Sequence, residues 1–274
     1  QSGPRTATLK FLADLSKPLV YVPSKGGGDE TEHVGNFRDE DVRIRDAREE
    51  LPATSLDREG FRLVAHESAI ADFYDDKALK DTYHDELGAL IREITGAARV
   101  EVFDDTRRSA SLDRQRERGI REPANIVHND YTGASGPRRL ADWQVSAPDT
   151  AGHREGGRFA IINAWRPIRS PVADQPLVLC DATSFEDKDL IAMERRAEDR
   201  KGELQVALHN PNQRWYFYPN MHPGEVLLFK TYDSARDGRT RFTPHSSFTD
   251  PLAPGNAPAR ESIESRCLAF FRDG

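Results

Sequence analysis

The chain has 274 residues with a formal net charge of −7, and 37% of its residues are hydrophobic and 31% charged. This composition describes a folded protein with a polar surface, and the length suffices for one large domain. No apolar run approaches the roughly 18 residues that a membrane-spanning helix requires. The negative charge argues against a nucleic-acid partner, because phosphate binding depends on clustered Lys and Arg.

The two cysteines, Cys180 and Cys267, are too few for a framework of disulfide bridges. We therefore expect a reducing, cytoplasmic location and buried structural roles for both thiols. The first residue is Gln1 rather than Met, which suggests a processed N-terminus. The absence of a signal peptide therefore carries little weight in this expectation.

We expect a single domain over residues 1–274, in which an N-terminal α/β segment over about 1–97 flanks a β core over about 98–274. Residues 58–65 have a short β-type pattern. Between residues 67 and 96 the apolar side chains recur every three or four residues, which predicts a helix. These apolar positions are Leu79, Tyr83, Leu87, Leu90, Ile91 and Ile94.

From about residue 98 the pattern changes to short strands separated by turn residues. Acidic residues ahead of Ile191 and Met193 predict one helix within this part, over 186–203. Short strands with flanking helical segments predict a mainly β fold, a double-stranded β-helix (jelly roll) of the cupin kind. The predicted strands are 98–103, 158–165, 176–180, 215–218, 225–230 and 262–271.

The first candidate metal ligands are His128 and Asp130, which follow the apolar pair Ile126 and Val127. Side chains at positions i and i+2 of a strand project to the same face. Both residues can therefore bind one metal ion while Asn129 points away. The alternative interpretation is an Asp that caps a turn beside a surface His.

A distant histidine, His245, completes the candidate ligand set. It comes after the predicted strand 225–230 and a polar turn, which is the order that delivers the second metal histidine in jelly-roll oxygenases. Two histidines and one carboxylate form a facial triad that holds Fe(II) and leaves positions open for substrate, cosubstrate and O2. We therefore predict that His128, Asp130 and His245 are the catalytic metal ligands of an iron-dependent oxygenase.

Arg260, just before the last predicted strand, and Arg266 within it share one strand face with the apolar Leu268 and Phe270. Arg is rarely buried without a partner, and its planar guanidinium matches a carboxylate through two hydrogen bonds. We predict that Arg260 and Ser262 bind the far carboxylate of 2-oxoglutarate, and that Arg266 makes a second contact to cosubstrate or substrate. The alternative for Arg266 is an ion pair with Glu264 or Asp181.

A candidate substrate-binding set lies on the strand 158–165 and at its end. Asn163 and Trp165 alternate onto one face, and Arg166 follows at the rim. Alternatively, Trp165 belongs to the core and Arg166 forms a surface ion pair. Tyr131 follows the carboxylate ligand directly, so it is a candidate for contact with a cofactor at the metal, or simply packs.

Seven blocks of this sequence resemble the asaB hydroxylase/desaturase family, which includes proteins similar to gibberellin GA4 desaturases and to a subunit of the cephem methoxylase. The similarity runs from about residue 20 to the C-terminus, and the combination of blocks is specific. The blocks are Val100–Thr106, His128–Thr132, Asn163–Pro167, Leu179–Ser184, Glu225–Ser234, Thr243–His245 and Arg260–Glu264.

The resemblance implies a non-haem iron oxidoreductase of secondary metabolism that requires Fe(II), 2-oxoglutarate and O2. Such a dioxygenase hydroxylates or desaturates a small-molecule substrate. Two other hypotheses stay open: a non-catalytic accessory or binding subunit of the same fold, which an intact triad disfavours, and an iron oxygenase that does not use 2-oxoglutarate. We expect neither a nucleic-acid nor a membrane partner. The sequence leaves the substrate and the oligomeric state undetermined.

Overall fold

Two β-sheets form the framework of the chain in the computed structural model, which describes residues 3–26, 30–147, 157–198 and 201–272. The strands in these ranges are β1 (Arg5–Asp14), β2 (Val20–Val22), β3 (Glu32–Val34), β4 (Asn36–Asp46), β5 (Phe61–Ala65), β6 (Arg99–Ser109), β7 (His128–Asn129), β8 (Phe159–Pro167), β9 (Leu177–Cys180), β10 (Leu190–Arg196), β11 (Lys201–Ala207), β12 (Trp215–Phe217), β13 (Glu225–Asp233), β14 (His245–Ser247) and β15 (Glu261–Phe270).

The larger sheet has the strand order β1-β4-β12-β9-β14-β7-β11-β10-β2-β3, and the smaller one the order β5-β13-β8-β15-β6. Neighbouring strands are mostly antiparallel and rarely consecutive in sequence, as expected of a jelly roll. Side chains from the inner faces of both sheets form one buried cluster, for example Phe11 and Phe217 from the larger sheet with Ile161 and Leu268 from the smaller. The predicted mainly β jelly roll is confirmed.

The described ranges contain five α-helices. They are α1 (Ala47–Glu50), α2 (Asp76–Ala78), α3 (His84–Thr95), α4 (Leu112–Arg118) and α5 (Ser135–Ser146), with a π-helical turn over Leu79–Tyr83 between α2 and α3. The apolar face of α3, which includes Leu87 and Ile91, packs on Ile162 and Cys267 on the outer face of the smaller sheet. No helix in the described ranges has the length and apolar character needed to cross a membrane.

Two expectations about local structure were wrong. The predicted helix over 186–203 is replaced by a short 3-10 turn and the antiparallel strands β10 and β11. These strands pair with β2 and β7, so hydrogen bonds to distant segments outweigh the local helical preference. The helix predicted over 67–96 begins only at Asp76, because the Asp75 carboxylate caps its first turn by accepting from the backbone N–H of Lys77 and Ala78.

The N-terminal part of the chain contributes to both sheets. β1 and β4 lie at one edge of the larger sheet, and β5 lies at an edge of the smaller one. The division at about residue 97 stays a prediction, and these three strands lie on its N-terminal side. Cys180 and Cys267 are fully buried and free, as expected from the sequence.

A buried ion cluster at the end of β13 supports a prediction about acid stability. The Asp233 side chain is fully buried and accepts hydrogen bonds from Lys230 Nζ at 2.9 Å and from Arg158 at 2.7 Å. Burial acts to raise the pKa of Asp233, but the Arg158 hydrogen bond and the Lys230 charge bring it below its ordinary value of 3.8. The resulting stabilisation is present above that value and is lost as the pH falls through the folded-state pKa.

We therefore expect Asp233→Asn to lower the free energy of unfolding at pH 7 by about 3 kcal/mol, because one partner of a buried ion pair is removed. The difference from the wild type should narrow as the pH falls below about 4. Urea unfolding between pH 7 and pH 3 measures both effects. The control is Asp39→Asn, since the Asp39 side chain is 61% exposed. A loss in the free energy of unfolding that is the same at every pH would contradict the proposed role of the Asp233 charge.

Candidate metal centre

Three predicted ligands meet where β7 and β14 pair in the larger sheet. His128 begins β7, Asp130 follows that strand, and His245 begins β14 directly opposite His128. The two imidazole ring centroids are 4.4 Å apart. One ligand atom from each of the three residues lies within 4.8 Å of the other two. The strand alternation inferred from the sequence and the pairing of two distant strands together create this cluster.

The hydrogen bonds of both imidazoles direct the same ring nitrogen to the centre of the cluster. Nδ1 of His128 lies 2.7 Å from the carbonyl oxygen of Ile126, and Nδ1 of His245 lies 2.9 Å from that of Thr243. A carbonyl accepts but cannot donate, so each Nδ1 carries a proton and each Nε2 keeps a free lone pair. These Nε2 atoms lie 3.5 Å and 3.7 Å from Oδ1 of Asp130.

The protonation states in the cluster suit metal binding. Burial, with the nearby charge of His128, lowers the pKa of His245 to about 3. Burial acts to raise the pKa of Asp130, but the Arg266 guanidinium and the two histidines hold it well below its ordinary range. A neutral imidazole and an ionised carboxylate are the forms that coordinate a metal. Two imidazole nitrogens and one carboxylate oxygen fit the donor set of a non-haem Fe(II) site.

The second oxygen of Asp130 is held by two side chains from the smaller sheet. Asn163 Nδ2 donates to Asp130 Oδ2 at 2.9 Å, and Arg266 Nε donates to the same atom at 2.8 Å. Asn163 is fully buried, and its Oδ1 accepts from the Thr231 hydroxyl at 3.2 Å. Asp130 Oδ1 is therefore left to face the two imidazoles. In this structure, Asn163 supports the Asp130 carboxylate.

The donors of Arg266 are engaged by acidic groups of the protein. Besides Asp130, the guanidinium contacts Asp104 and Glu264, each at 2.6 Å. Each of the three guanidinium nitrogens of Arg266 already has a protein partner. None is therefore without a partner for the predicted contact with cosubstrate or substrate. The alternative pair with Glu264 is present, whereas Asp181 pairs instead with Arg214.

Asn129 has a role that the sequence did not reveal. Its side chain is fully buried and joins the two ligand-bearing segments. Nδ2 donates to the carbonyl oxygens of Tyr131 at 2.7 Å and Thr231 at 3.0 Å, while Oδ1 accepts from the backbone N–H of Thr243 at 3.2 Å. The only sequence signal is its place between His128 and Asp130, where it was expected simply to point away.

The predicted cosubstrate residues Arg260 and Ser262 lie together in the protein interior. Arg260 is 2% exposed, and its Nε donates to the Ser262 hydroxyl at 3.1 Å. Nη1 donates to the carbonyl oxygen of Gln175 at 3.0 Å, and the guanidinium carbon lies 5.1 Å from the Trp165 ring centroid. Burial, followed by the nearby charge of Arg108, lowers the pKa of Arg260 to about 9. Within the described ranges, no carboxylate lies within 4.0 Å of this cation.

The indole of Trp165, which lies against Arg260, is a buried group with an unmet hydrogen bond. Its Nε1 has no partner in the described part of the chain, although the residue is only 2% exposed. An N–H group in this situation costs free energy unless a ligand or water accepts its hydrogen bond. Trp165 and Arg260 therefore form a pair of buried donors suited to an anionic group.

Arg166 lies on the opposite face of β8 from Asn163 and Trp165, which contradicts its predicted place at the substrate pocket. It is 1% exposed and donates to the carbonyl oxygens of His66 and Pro223. The guanidinium carbon lies 4.8 Å and 5.5 Å from the ring centroids of Phe73 and Tyr83. The same alternation that turns Asn163 inward turns Arg166 outward, beneath the helices.

A cavity of about 960 Å3 opens beside the cluster, and its lining includes His128, Asp130, Tyr131 and Arg266. Burial raises the pKa of Tyr131 to about 12, so its phenol is neutral near pH 7. Tyr131 packs in the buried core cluster and also faces this cavity. Its position is compatible with either of its predicted roles.

Comparisons with known proteins agree with this arrangement. A family described as "Oxidoreductase/YMDC permease-like domain" matches residues 9–270. The hydroxylase/desaturase efuI of Hormonema carpetanum is 35% identical over 100% of this chain and 97% of its own length. The Fe(II)/2-oxoglutarate-dependent dioxygenase nvfI of Aspergillus novofumigatus is 30% identical over 94% of this chain and 92% of its own length. A solved structure of the iron and alpha-ketoglutarate-dependent endoperoxidase NvfI superposes with a TM-score of 0.80 at 27% identity, covering 99% of both chains.

Proposed function

The chain belongs to the oxidoreductase family that includes these hydroxylase/desaturases and dioxygenases, and from this premise we propose that His128, Asp130 and His245 are the catalytic iron ligands of a 2-oxoglutarate-dependent oxygenase. The observation that carries the assignment is the orientation of the two imidazoles. Each Nδ1 is bonded to a backbone carbonyl, so both Nε2 lone pairs face the Asp130 carboxylate.

Fe(II), 2-oxoglutarate and O2 supply the oxidising chemistry that hydroxylates or desaturates an unactivated carbon. The protein's own residues bind these groups, orient them and exclude water. Asn163 and Arg266 hold Oδ2 of Asp130, which leaves Oδ1 for the metal. We assign both as positioning residues, because partners of a ligand fix its orientation and tune its affinity for the metal.

Arg260 and Ser262 are the proposed binding site for the far carboxylate of 2-oxoglutarate. A buried guanidinium with no carboxylate partner among the described residues supports this proposal, because Arg is rarely buried without one. The unpartnered Trp165 Nε1 beside it is a further donor for the same ligand. Trp165 is therefore proposed to contact the cosubstrate rather than the substrate.

The substrate is proposed to be a small molecule of secondary metabolism that occupies the cavity beside Asp130 and Tyr131. The cavity volume of about 960 Å3 supports this size class. Two buried, free cysteines support a reducing compartment, and we propose the cytoplasm as the location.

Removal of the Arg266 charge should weaken iron binding without unfolding the protein. We expect Arg266→Met to reduce the affinity for Fe(II) roughly 10- to 100-fold, the range typical of outer partners of a metal ligand. Arg266→Lys should recover part of the loss, because a single cation still faces Asp130 Oδ2. The measurement is Fe(II) titration under anaerobic conditions, with thermal unfolding as the check on folding. Equal Fe(II) affinity in Arg266→Met and the wild type would remove Arg266 from this role.

The proposed function is tested by anaerobic titration of the metal-free protein with Fe(II) and then 2-oxoglutarate, following the visible metal-to-ligand charge-transfer band. We expect a band in the wild type and none in His245→Ala. Iron binding without a band would mean that 2-oxoglutarate is not the cosubstrate and would favour an iron oxygenase that does not use it. If neither Fe(II) nor 2-oxoglutarate binds, the accessory-subunit hypothesis replaces the oxygenase.

A further inference from the structure

The cavity beside the metal centre has a charge opposite to that of the whole protein. Among the residues that the structure describes, ten Lys or Arg but only six Asp or Glu line it, although the chain has a formal net charge of −7. Concentrated positive charge in a concave site raises the local concentration of anionic ligands.

Five of the six acidic side chains in the described lining have a hydrogen-bond or ion-pair partner. Asp130 and Asp104 bind Arg266, and Asp105 contacts His84 at 2.7 Å. Glu122 accepts from the Ser24 hydroxyl at 2.9 Å, and Glu203 accepts from the Thr132 hydroxyl at 2.9 Å. Because the described lining has ten Lys or Arg residues and six Asp or Glu residues, part of the positive charge is left without a counter-ion.

Seven arginines of the cavity lining lack an acidic partner within 4.0 Å among the residues that the structure describes, and Arg108, Arg121 and Arg195 are three of these. All three are half-buried. Arg108 and Arg121 lie side by side in a parallel β-bridge, and Arg108 donates only to the backbone oxygen of Glu122 in the described structure. All three arginines line the same cavity. Burial lowers the pKa of Arg121, and the charges of Arg108 and Arg195 contribute to this shift.

Part of the cavity wall between these arginines and the metal ligands is apolar. Val206 pairs with His128, whereas Gly202, four residues away on the same strand β11, pairs with Arg195. At 3.3 Å per residue this separation is roughly 13 Å along the strand. The cavity wall over this distance includes Val206, Leu204 and Met193. A ligand that reaches from the metal to the arginines can therefore contact these apolar side chains.

We propose that this cavity binds an amphiphilic organic acid as substrate, with its carboxylate on Arg108, Arg121 and Arg195 and its apolar body on Met193, Leu204 and Val206. As a statement about substrate, this inference rests on the proposed function. The carboxylate fixes the orientation and brings a carbon at the other end of the molecule to the metal. The arginines are separate from Arg260, which is not among the described residues that line this cavity.

The probe pair is 1-pyrenebutyrate and its neutral analogue 1-pyrenebutanol, with binding followed by fluorescence anisotropy. We expect the wild-type protein to bind the acid at least about tenfold more tightly than the alcohol, since a charge-assisted hydrogen bond is worth a factor of this size. Arg121→Gln and Arg195→Gln should each weaken binding of the acid roughly tenfold or more and leave the affinity for the alcohol unchanged. Arg121→Lys should fall between Arg121→Gln and the wild type. Arg62→Gln, an exposed arginine of β5, is the matched control.

Several outcomes would overturn the proposal. The first is equal affinity for the acid and the alcohol, and the second is acid binding that does not change when Arg121 or Arg195 is substituted. The third is a failure of the acid to bind, because a cavity of about 960 Å3 is large enough to admit the probe. Competitive displacement of the acid by 2-oxoglutarate in metal-free protein would also do so, since the arginines would then bind the cosubstrate.

The charge-transfer titration on the same protein preparation separates the two proposals. If the wild type gives the charge-transfer band but binds the acid and the alcohol equally, the proposed oxygenase function stands and the proposed substrate class is rejected. A preference for the acid without a band rejects the oxygenase, and with it the assignment of the acid as its substrate.

Discussion

Asp130→Ala is expected to abolish the conversion of 2-oxoglutarate to succinate and to reduce Fe(II) affinity by more than the roughly 10- to 100-fold that loss of an outer partner costs. Asp130 supplies the single negative charge among the three proposed ligands, and its Oδ1 faces both imidazoles. Its loss also leaves the Nε donor of the half-buried Arg266 without this partner. The measurements are succinate formation with saturating Fe(II) and anaerobic Fe(II) titration.

The matched control for this prediction is Asp39→Asn, because Asp39 is an exposed carboxylate on β4 outside the cavity. Thermal unfolding of both variants separates a folding defect from loss of the metal site. Asp130→Asn is a useful second variant, since it keeps the shape and one oxygen but not the charge. Full turnover by Asp130→Ala would remove Asp130 from the ligand set.

Arg260→Met is expected to raise the dissociation constant of 2-oxoglutarate roughly 10- to 100-fold while Fe(II) affinity stays unchanged. A hydrogen bond between charged groups contributes about 1.5–3 kcal/mol, which corresponds to this factor. Met keeps an unbranched apolar side chain against Trp165 but cannot pair with a carboxylate. Titration of the charge-transfer band gives the dissociation constant of 2-oxoglutarate, and a separate anaerobic titration gives that of Fe(II).

The conservative variant Arg260→Lys distinguishes a ligand role from a packing role. Lys keeps the positive charge but lacks the fork that binds a carboxylate through two hydrogen bonds, so its affinity for 2-oxoglutarate should lie between those of Arg260→Met and the wild type. Ser262→Ala should have a smaller effect, because it removes only the hydroxyl that accepts from Arg260 Nε. If the dissociation constant of 2-oxoglutarate is unchanged in Arg260→Met, the cosubstrate binds elsewhere in the protein, and Arg121 is the first alternative residue to test.

Local patterns were sufficient for much of the fold. The short strands of the β core were predicted because apolar runs ended at turn residues, and β8, β13 and β15 lie close to their predicted positions. The strand β1 was missed, although Ala7, Leu9 and Phe11 alternate with more exposed residues. The hairpin of β10 and β11 was missed for a different reason. Its residues have helical preference, and only pairing with β2 and β7 makes them strands.

The sequence by itself determined the identity of the proposed ligands, because strand alternation puts His128 and Asp130 on one face and the motif order brings in His245. It also identified Arg260 as a cation that needs a buried anionic partner. The tertiary structure alone decided which side chains surround those groups. Asn163 and Arg266 bind Asp130, and Arg166 faces outward, because the register between β8 and β15 and the packing of the two sheets set those contacts. Contacts between residues distant in sequence depend on that register, and no local pattern in the chain encodes it.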